Sequence, residues 1–313
     1  MNTQKKMWMR LATAVVVMTT IACSCGSLSP LLQAPTSSLE VNNNSTPTLG
    51  TGSPWTRPAD GMVMVYVPEG NFTMGDATNQ ALAECQKFRN DCQRDWFTDE
   101  EPLHIVYLDA FWIDRTEVTN AMYAKCVQAG SCQPPSQSSS STRSSYYGNS
   151  QFDDYPVIYV SWNQANDYCT WAGARLPTET EWEKAARGTD GRIYPWGNAA
   201  PSCNLANFAP YVSSNACTGD TQVVGSHPLG GSPYGALDMA GNVWEWVADW
   251  YGATYYGQSP TSNPKGPDSG TKRVLRGGSW GNDESGIHSA FRNLNDPVSS
   301  NVSLGFRCSR SSP

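Results

Sequence analysis

The amino-acid sequence predicts a single α+β domain with small sheets, few helices and much ordered loop. The first observation behind this prediction is composition, because 27 Gly and 21 Pro among 313 residues indicate a backbone with many turns. The second is an excess of large amphipathic rings, with 12 Trp and 14 Tyr against 8 Phe, which can pack against irregular backbone. The third is that strand and helix signals are concentrated before Gly188.

The N-terminus has the pattern of an export signal. The positive residues Lys5, Lys6 and Arg10 precede the apolar run "LATAVVVMTTI", which is shorter than the roughly 20 residues that a membrane-spanning helix needs. The small residues of "TTIAC" then lead to Cys23, as in a bacterial lipoprotein signal whose cysteine carries the lipid. We therefore expect a signal peptide over residues 1–22 and an exported lipoprotein at the cell membrane or cell surface. An ordinary secretory signal is the alternative.

A polar segment separates this signal from the folded part of the chain. Residues 23–58 are rich in Ser, Thr, Pro and Asn, as in "NNNSTPTLGTGSP", and contain few large apolar side chains. Such a segment cannot bury enough surface to fold, so it is predicted to be a flexible tether. The folded domain is expected over residues 59–310.

Strand and helix signals alternate at the start of this domain. Met62–Val67 and Phe72–Met74 are predicted to be short strands, separated by a turn at Pro68–Asn71. The segment "LHIVYLDAFWIDRTEVTN" is again typical of strands. Thr119 is then predicted to cap a helix over "NAMYAKCVQAG" that ends at Gly130.

Two further helices are predicted before regular structure becomes sparse. In "WNQANDYCTWAG" the small and apolar residues recur at helical spacing. In "LPTETEWEKAARG" Thr178 is the expected N-cap, Glu181 follows three positions later and Gly188 ends the helix. Its first-turn glutamates, including Glu179 and Glu183, are expected to be solvated and to favour the helix dipole. Farther on, only "ALDMAGNVWEWVADWY" and "KRVLRGG" are typical of short strands.

Three arginines near the C-terminal end are expected to be structural. Arg276, Arg292 and Arg307 lie in the terminal motifs of the chain. A buried ion pair is the favoured role for them over substrate binding, and Asp249 is a candidate partner.

The 10 cysteines are interpreted in the light of export. Outside the cytoplasm, cysteines at close spacing are more often disulfides than metal ligands, and the CxxC spacing of a zinc site is absent. Cys23 is set aside for the lipid and Cys25 lies in the tether. Spacing suggests three short loops and leaves one remaining pair, although sequence alone cannot prove the connectivity: Cys85–Cys92, Cys126–Cys132, Cys203–Cys217 and Cys169–Cys308.

Several function classes are disfavoured by the residues themselves. A net charge of −7 argues against nucleic acid as a partner, because a phosphate backbone needs a concentrated basic face. "LGGSPYG" lacks the lysine of a phosphate-binding loop. "GGSWG" fits the nucleophile motif of α/β-hydrolases, but Gly281, Asn282 and Asp283 would break the helix that must follow the serine. His104 and His227 lack metal-ligand spacing.

The motifs together resemble a known family. "MVYVPEGNFTMG", "DAFWIDRTEVTNAMY", "PVIYVSWNQANDYCTWAGARLPTETEWEKAARG", "YPWGN", "YGALDMAGNVWEWVADWY", "RVLRGGSW" and "LGFRC" occur in this order between Met62 and Cys308. They resemble the formylglycine-generating enzyme family, also called sulfatase-modifying factors. The resemblance implies the fold of that family, which is related to C-type lectins and poor in regular secondary structure.

The resemblance does not by itself imply the enzymatic activity of the family. Enzymes of the family oxidise a client cysteine to formylglycine with two cysteines, in the loop after "GGS", that bind copper(I). Here the loop is "GGSWGNDESGIHSAFR", and no cysteine lies between Cys217 and Cys308. Amides, carboxylates and one imidazole cannot replace soft thiolates for copper(I), so copper is not expected. Trp244 and Ser279 match neighbours of the oxygen site of the family but are expected to be scaffold.

The resemblance also implies structural calcium. One ion would be held by the side chains of Asp238 and Glu245 and the carbonyls of Gly241 and Val243, because calcium prefers several hard oxygens. The alternative is that these carboxylates only accept hydrogen bonds from buried loop amides. A second ion would be held by four residues of two nearby motifs: Asn207, Phe208, Asp220 and Gln222.

The favoured function is a surface-tethered binding module for a protein, peptide or glycan. Its basis is the tether, the aromatic surplus and a loop without reactive groups, and the family includes diversified ligand-binding proteins that end in a similar "RGGSW…GFR" segment. The expected recognition residues lie in or beside this loop: Trp244, Ser279, Trp280, Asn282, Asp283, Glu284, Ser285, His288, Arg292, Asn293 and Asn295.

Two enzymatic alternatives remain. The first is a diverged oxidase that matures exported sulfatases. The second is an accessory domain that acts beside an iron-binding one, as in ergothioneine-pathway proteins of this family, although the chain contains no HxxxH iron motif.

Overall fold

The structure is a computed structural model that describes residues 49–213 and 216–312 of the chain. In these residues it confirms the predicted mixture of helices, small sheets and long ordered loops. The strands are β1 (Pro54–Thr56), β2 (Val63–Val67), β3 (Gly70–Met74), β4 (His104–Leu108), β5 (Phe111–Asp114), β6 (Trp244–Trp250), β7 (Arg273–Arg276), β8 (Asn293–Asn295), β9 (Leu304–Phe306) and β10 (Ser309–Ser311). They form a sheet of order β1-β2-β5-β10, a β3-β4 pair and a sheet of order β8-β7-β6-β9.

The first sheet begins earlier in the chain than the sequence predicted. β1 lies inside the segment assigned to the tether and pairs antiparallel with β2, with Trp55 opposite Met64. The boundary at residue 58 is therefore wrong for this strand. Two exposed residues in three gave β1 no hydrophobic pattern, so only its partner strand defines it.

The helices are α1 (Thr78–Cys85), α2 (Asn120–Gln128), α3 (Trp162–Trp171) and α4 (Glu179–Arg187). The predicted cap of α2 is confirmed, because the Thr119 side chain accepts a hydrogen bond from Met122 N. The Thr178–Glu181 capping box of α4 is present as well, and Gly188 ends that helix at φ 69°. No helix in the described part of the chain is long and apolar enough to cross a membrane.

Helix α4 lies inside the molecule rather than on its surface. Every residue of α4 is buried, so the prediction of solvated glutamates was wrong. Each carboxylate is compensated by an arginine instead: Glu179 by Arg292 at 2.7 Å, Glu181 by Arg175 at 2.6 Å and Glu183 by Arg276 at 2.6 Å.

The predicted burial of the three C-terminal arginines is confirmed, but their predicted partner is not. Arg276, Arg292 and Arg307 are at most 4% exposed and pair with glutamates. Asp249 instead accepts a hydrogen bond of 2.7 Å from the backbone N–H of Glu179, at the start of α4.

The β8-β7-β6-β9 sheet positions the loop that follows "GGS". β6 pairs antiparallel with β7 and parallel with β9, and β7 pairs with β8. The loop of residues 277–292 leaves β7 and returns as β8, so both of its ends belong to the same sheet. Trp182 of α4 and Trp246 of β6 are fully buried, and the Trp182 ring lies against the start of the loop at Gly277.

All four disulfides suggested by spacing are present. Three close short loops, and Cys169–Cys308 joins α3 to the segment before β10 across 139 residues. Cys23, the predicted lipidation site, lies outside the described residues.

Candidate functional site

Two glycines shape the start of the 277–292 loop. Gly277 and Gly278 adopt φ angles of 93° and 74°, which other residues rarely adopt. A side chain on Gly278 would also lie 2.5 Å from the carbonyl oxygen of Gly286. The loop then folds back on itself, with Ser279 Oγ donating to Asn282 Oδ1 at 2.7 Å. Ser279 is thereby occupied as a structural hydroxyl.

Two charged residues of the loop are buried in ion pairs. His288 Nε2 lies 3.1 Å from each carboxylate oxygen of Glu100. Burial opposes protonation of His288, but the charge of Glu100 outweighs it and the pKa of the imidazole is raised. The Arg292 Nε donates to Glu179 Oε1 at 2.7 Å. His288 and Arg292 are each 4% exposed, so the expectation that they line a recognition surface was wrong.

Other predicted recognition residues are also interior. Trp244 and Ser279 are buried, and Glu284 uses Oε2 to accept a hydrogen bond of 3.0 Å from the backbone N–H of Tyr211. Ser279 and Glu284 therefore hydrogen-bond within the protein instead of facing solvent. The half-buried members of the set remain available at the surface: Trp280, Asn282, Asp283, Ser285, Asn293 and Asn295.

An exposed patch beside this loop was not predicted from the sequence. Arg89 lies over the rings of Trp96 and Tyr211, with its guanidinium carbon 5.0 and 4.4 Å from their centroids. The same guanidinium pairs with Asp91 at 2.6 Å and with Asp283 of the loop. Trp96 and Tyr211 are 38% and 43% exposed. We call these five residues the Arg89 patch.

The arrangement of cysteines agrees with the absence of a thiolate pair in the loop. Each of the eight cysteines in the described residues is in a disulfide. None of them lies between Cys217 and Cys308. The loop therefore offers copper(I) only oxygen ligands and one buried imidazole.

The first expected calcium position contains two carboxylates in contact with each other. Asp238 is buried, and its Oδ2 accepts a hydrogen bond of 2.5 Å from Gly225 N. The Glu117 carboxylate lies within hydrogen-bonding reach of Asp238, and its Oε1 accepts from Asn242 Nδ2 at 3.0 Å. No N–H or hydroxyl group among the described residues donates to the buried Glu117 Oε2, so the contact between the two carboxyl groups needs a proton or a cation. Burial and then the charge of Asp238 raise the pKa of Glu117 well above its usual range.

Glu245, expected in the same site, has a different partner. Its carboxylate makes bonds of 2.6 and 2.7 Å with Arg307 and one of 2.8 Å with Trp182 Nε1. Its charge is thus neutralised by the protein. Among the described residues no group of three or more His, Cys, Asp or Glu side chains is placed to hold a metal ion. A calcium ion here would have the carboxylates of Glu117 and Asp238 as ligands, and hard carboxylate oxygens suit calcium.

The second expected calcium position does not fit an ion. The Asp220 carboxylate accepts hydrogen bonds from a polar loop and lies 3.1 Å from Arg143 Nη1. The carbonyl of Phe208, an expected ligand, accepts a hydrogen bond of 2.8 Å from Cys217 N. Asn207 Nδ2 donates to the Asp220 carbonyl at 2.8 Å, and the side chain of the fourth residue, Gln222, contacts His227.

Comparison with known proteins decides the family. The sequence profile of the sulfatase-modifying factor enzyme 1-like domain matches residues 52–312. The chain belongs to the sulfatase-modifying factor family. The fold expected from the sequence motifs is therefore confirmed, and the match begins before the predicted boundary at residue 59, in agreement with the position of β1.

Relatives of this family member include enzymes. The chain is 35% identical over 305 residues to a formylglycine-generating enzyme of Streptomyces coelicolor, which covers 82% of this chain and 91% of the relative. It is 34% identical over 294 residues to a hercynine oxygenase of Mycolicibacterium smegmatis. That match covers 83% of this chain and 64% of the relative. Among solved structures, PvdO from Pseudomonas aeruginosa superposes with a TM-score of 0.66 at 25% identity, covering 84% and 99%.

Proposed function

We propose that this sulfatase-modifying factor family member is an exported, lipid-anchored binding protein for a protein, peptide or glycan, and not an oxidase. One observation supports this most directly. The 277–292 loop contains no cysteine; Asp283, His288 and Arg292 form ion pairs within the protein, and Glu284 accepts a hydrogen bond from Tyr211 N. A copper(I) centre needs soft ligands, and the loop has no spare group that could be recruited as one.

The Arg89 patch is the proposed binding surface. Trp, Tyr and Arg are the residue types that most often dominate recognition, because they provide large contact areas with a polar edge. The ion pairs with Asp91 and Asp283 hold the guanidinium in place, so the two rings are ordered before a ligand arrives. Such preorganisation lowers the entropic cost of binding.

Calcium is proposed as a structural ion between Glu117 and Asp238. The contact between these two buried carboxyl groups is the observation in favour, because carboxylates in contact in the interior are costly unless a proton or a cation accompanies them. The ion would stabilise the fold. Its ligands Glu117 and Asp238 do not belong to the Arg89 patch, so we do not propose a role for the ion in recognition.

Lipid anchoring at Cys23 is proposed from the sequence of the N-terminus. The variant Cys23→Ser should appear in the soluble fraction and lose palmitate labelling. Continued labelling of this variant would contradict the assignment.

The alternative is a diverged oxidase that matures exported sulfatases. The observation in its favour is the 35% identity with a formylglycine-generating enzyme over most of both chains. Retention of Trp244 and Ser279 adds little, because both are buried and Ser279 is hydrogen-bonded to its own loop.

Binding can be tested on glycan and peptide arrays with the full mature chain. Any ligand found should lose affinity by about tenfold or more in Trp96→Ala and Tyr211→Ala, as expected for residues that dominate an interface. The matched control is Ile105→Ala, which removes a side chain that is 64% exposed on β4. Equal loss in the control, or no loss in the patch variants, would place recognition elsewhere.

A further inference from the structure

A polar loop meets the second expected calcium position at Asp220. The loop of residues 133–147 contains the run "SQSSSSTRSS" and has no helix or strand of its own. Ser140 Oγ donates to Asp220 Oδ2 at 2.6 Å, and Thr142 donates to the same oxygen from both its backbone N–H and its Oγ1 at 2.8 Å. Thr221 N donates to Asp220 Oδ1 at 2.7 Å. The carboxylate is therefore surrounded by protein donors.

Arg143 completes this arrangement. Its Nη1 lies 3.1 Å from Asp220 Oδ2, and its Nη2 donates to the carbonyl of Thr221 at 3.0 Å. The guanidinium carbon also lies 5.0 Å from the ring centroid of Phe152 and 4.9 Å from that of Tyr155. Aromatic faces and a carboxylate together are a favourable environment for this cation.

Asp220 consequently lacks what a calcium ion needs. A cation site requires a carboxylate whose charge is uncompensated and whose lone pairs point into open space. Asp220 is 1% exposed, its Oδ2 has three hydrogen-bond donors in addition to Arg143, and its charge is paired. The carboxylate is satisfied by protein donors without a metal.

The Glu117–Asp238 pair differs from Asp220 in the partners of its carboxylates. At that position two carboxylates meet each other, and no N–H or hydroxyl group among the described residues donates to Glu117 Oε2. At Asp220 one carboxylate meets one guanidinium and several donors. The two positions therefore differ, because Asp220 already has a cationic partner, whereas the contact between Glu117 and Asp238 needs a proton or a cation.

We propose that the Arg143 guanidinium takes the place of a bound cation at Asp220, so that the loop of residues 133–147 is fastened to the domain without metal. Calcium then binds at most beside Asp238. Arg143 would take this place at Asp220 whether or not calcium binds beside Asp238.

The first test counts calcium ions by equilibrium dialysis of the full mature chain against calcium chloride. The expected result is one ion per chain, unchanged in Asp220→Asn and lost in Asp238→Asn. Two ions per chain, with one lost in Asp220→Asn, would overturn the proposal. No ion in the unmodified chain would contradict calcium beside Asp238 and still support the proposal for Asp220.

The second test measures hydrogen–deuterium exchange of residues 138–146 with calcium or with EGTA. The unmodified chain should exchange at the same rate in calcium and in EGTA. Arg143→Met should raise the exchange rate of residues 138–146 by about tenfold or more in each condition, because the guanidinium that holds the loop is removed. The matched control is Arg192→Met, which breaks a more exposed arginine–aspartate pair with Asp190 and should leave the loop unchanged. Faster exchange of the unmodified loop in EGTA would show that a metal fastens it.

Discussion

At the scale of single residues, buried carboxyls are the least expected feature of this molecule. Asp249 is 2% exposed, and burial, followed by the charge of Glu179, raises the pKa of its carboxyl to about 8. An unfolded chain would hold the same carboxyl at about 3.9. Between these values the folded state retains a proton that the unfolded state has released.

This difference sets the direction of a pH effect. Because the folded state binds more protons than the unfolded state, the free energy of unfolding falls as the pH rises from about 4 towards 8. Replacing Asp249 by Asn keeps an oxygen that can accept from Glu179 N and removes the titration. The variant should exceed the unmodified protein in unfolding free energy at pH 8.5 by at least about 1.4 kcal/mol, the value of one pKa unit, and exceed it much less at pH 5.

Urea denaturation at the two pH values measures this effect. Asp268→Asn is the control, because Asp268 is exposed. Parallel pH profiles for Asp249→Asn and the unmodified protein would contradict a raised pKa at this residue.

At the scale of elements, helix α4 and the 277–292 loop depend on the same arginine. Arg276 Nη2 pairs with Glu183 of α4 at 2.6 Å and donates to the carbonyl of Ser289 at 2.9 Å, while Nη1 donates to the carbonyls of Ala290 and Phe291 at 2.7 Å. One fully buried side chain thus fixes the end of the loop against the helix.

Breaking this connection should be costly. Arg276→Met removes the partner of Glu183 Oε2 and of three carbonyls, while Glu183 Oε1 keeps Arg187, so the cost should lie near the lower end of the about 3–5 kcal/mol for a broken buried ion pair. Adding Glu183→Gln should restore part of the loss, so the double variant should be more stable than the sum of the single variants predicts. Chemical denaturation of all three variants tests this, and strict additivity would show that the pair is not coupled.

The elements differ in how far the sequence could predict them. Helices α3 and α4 carry capping boxes, with Ser161 and Thr178 as N-caps, and their regions were both recognised as helical. Helix α1 was missed because Ala77 at its N-cap provides no side-chain hydrogen bond. Strands β8, β9 and β10 have three residues each, so they are defined by pairing across the fold and not by a local pattern.

At the scale of the whole molecule, the sequence predicted only those parts of the candidate site that lie in local motifs. The sequence located the 277–292 loop and the position of Asp238, because both lie in motifs that resemble the family. It could not show that Tyr211 meets Arg89 and Trp96, because Tyr211 lies more than a hundred residues later in the chain. Nor could it place Glu117 beside Asp238, more than a hundred residues away.

Calcium should stabilise the whole fold. A ligand at about 100 times its dissociation constant adds about 2.7 kcal/mol to the free energy of unfolding, which in a domain of this size corresponds to about 5–10 °C in Tm. EGTA should lower Tm by this amount in the unmodified chain and in Asp220→Asn, and have no effect in Glu117→Gln. An unchanged Tm of the unmodified chain in EGTA would contradict a structural calcium ion in this protein.

We expect that this member of the sulfatase-modifying factor family does not oxidise cysteine. The most direct measurement incubates the purified chain with a Cys-x-Pro-x-Arg peptide, copper and oxygen, and follows the peptide by mass spectrometry. We predict that the peptide cysteine stays unconverted, because the 277–292 loop has no thiolate to hold copper(I). Conversion to formylglycine at enzymatic rates would contradict the claim.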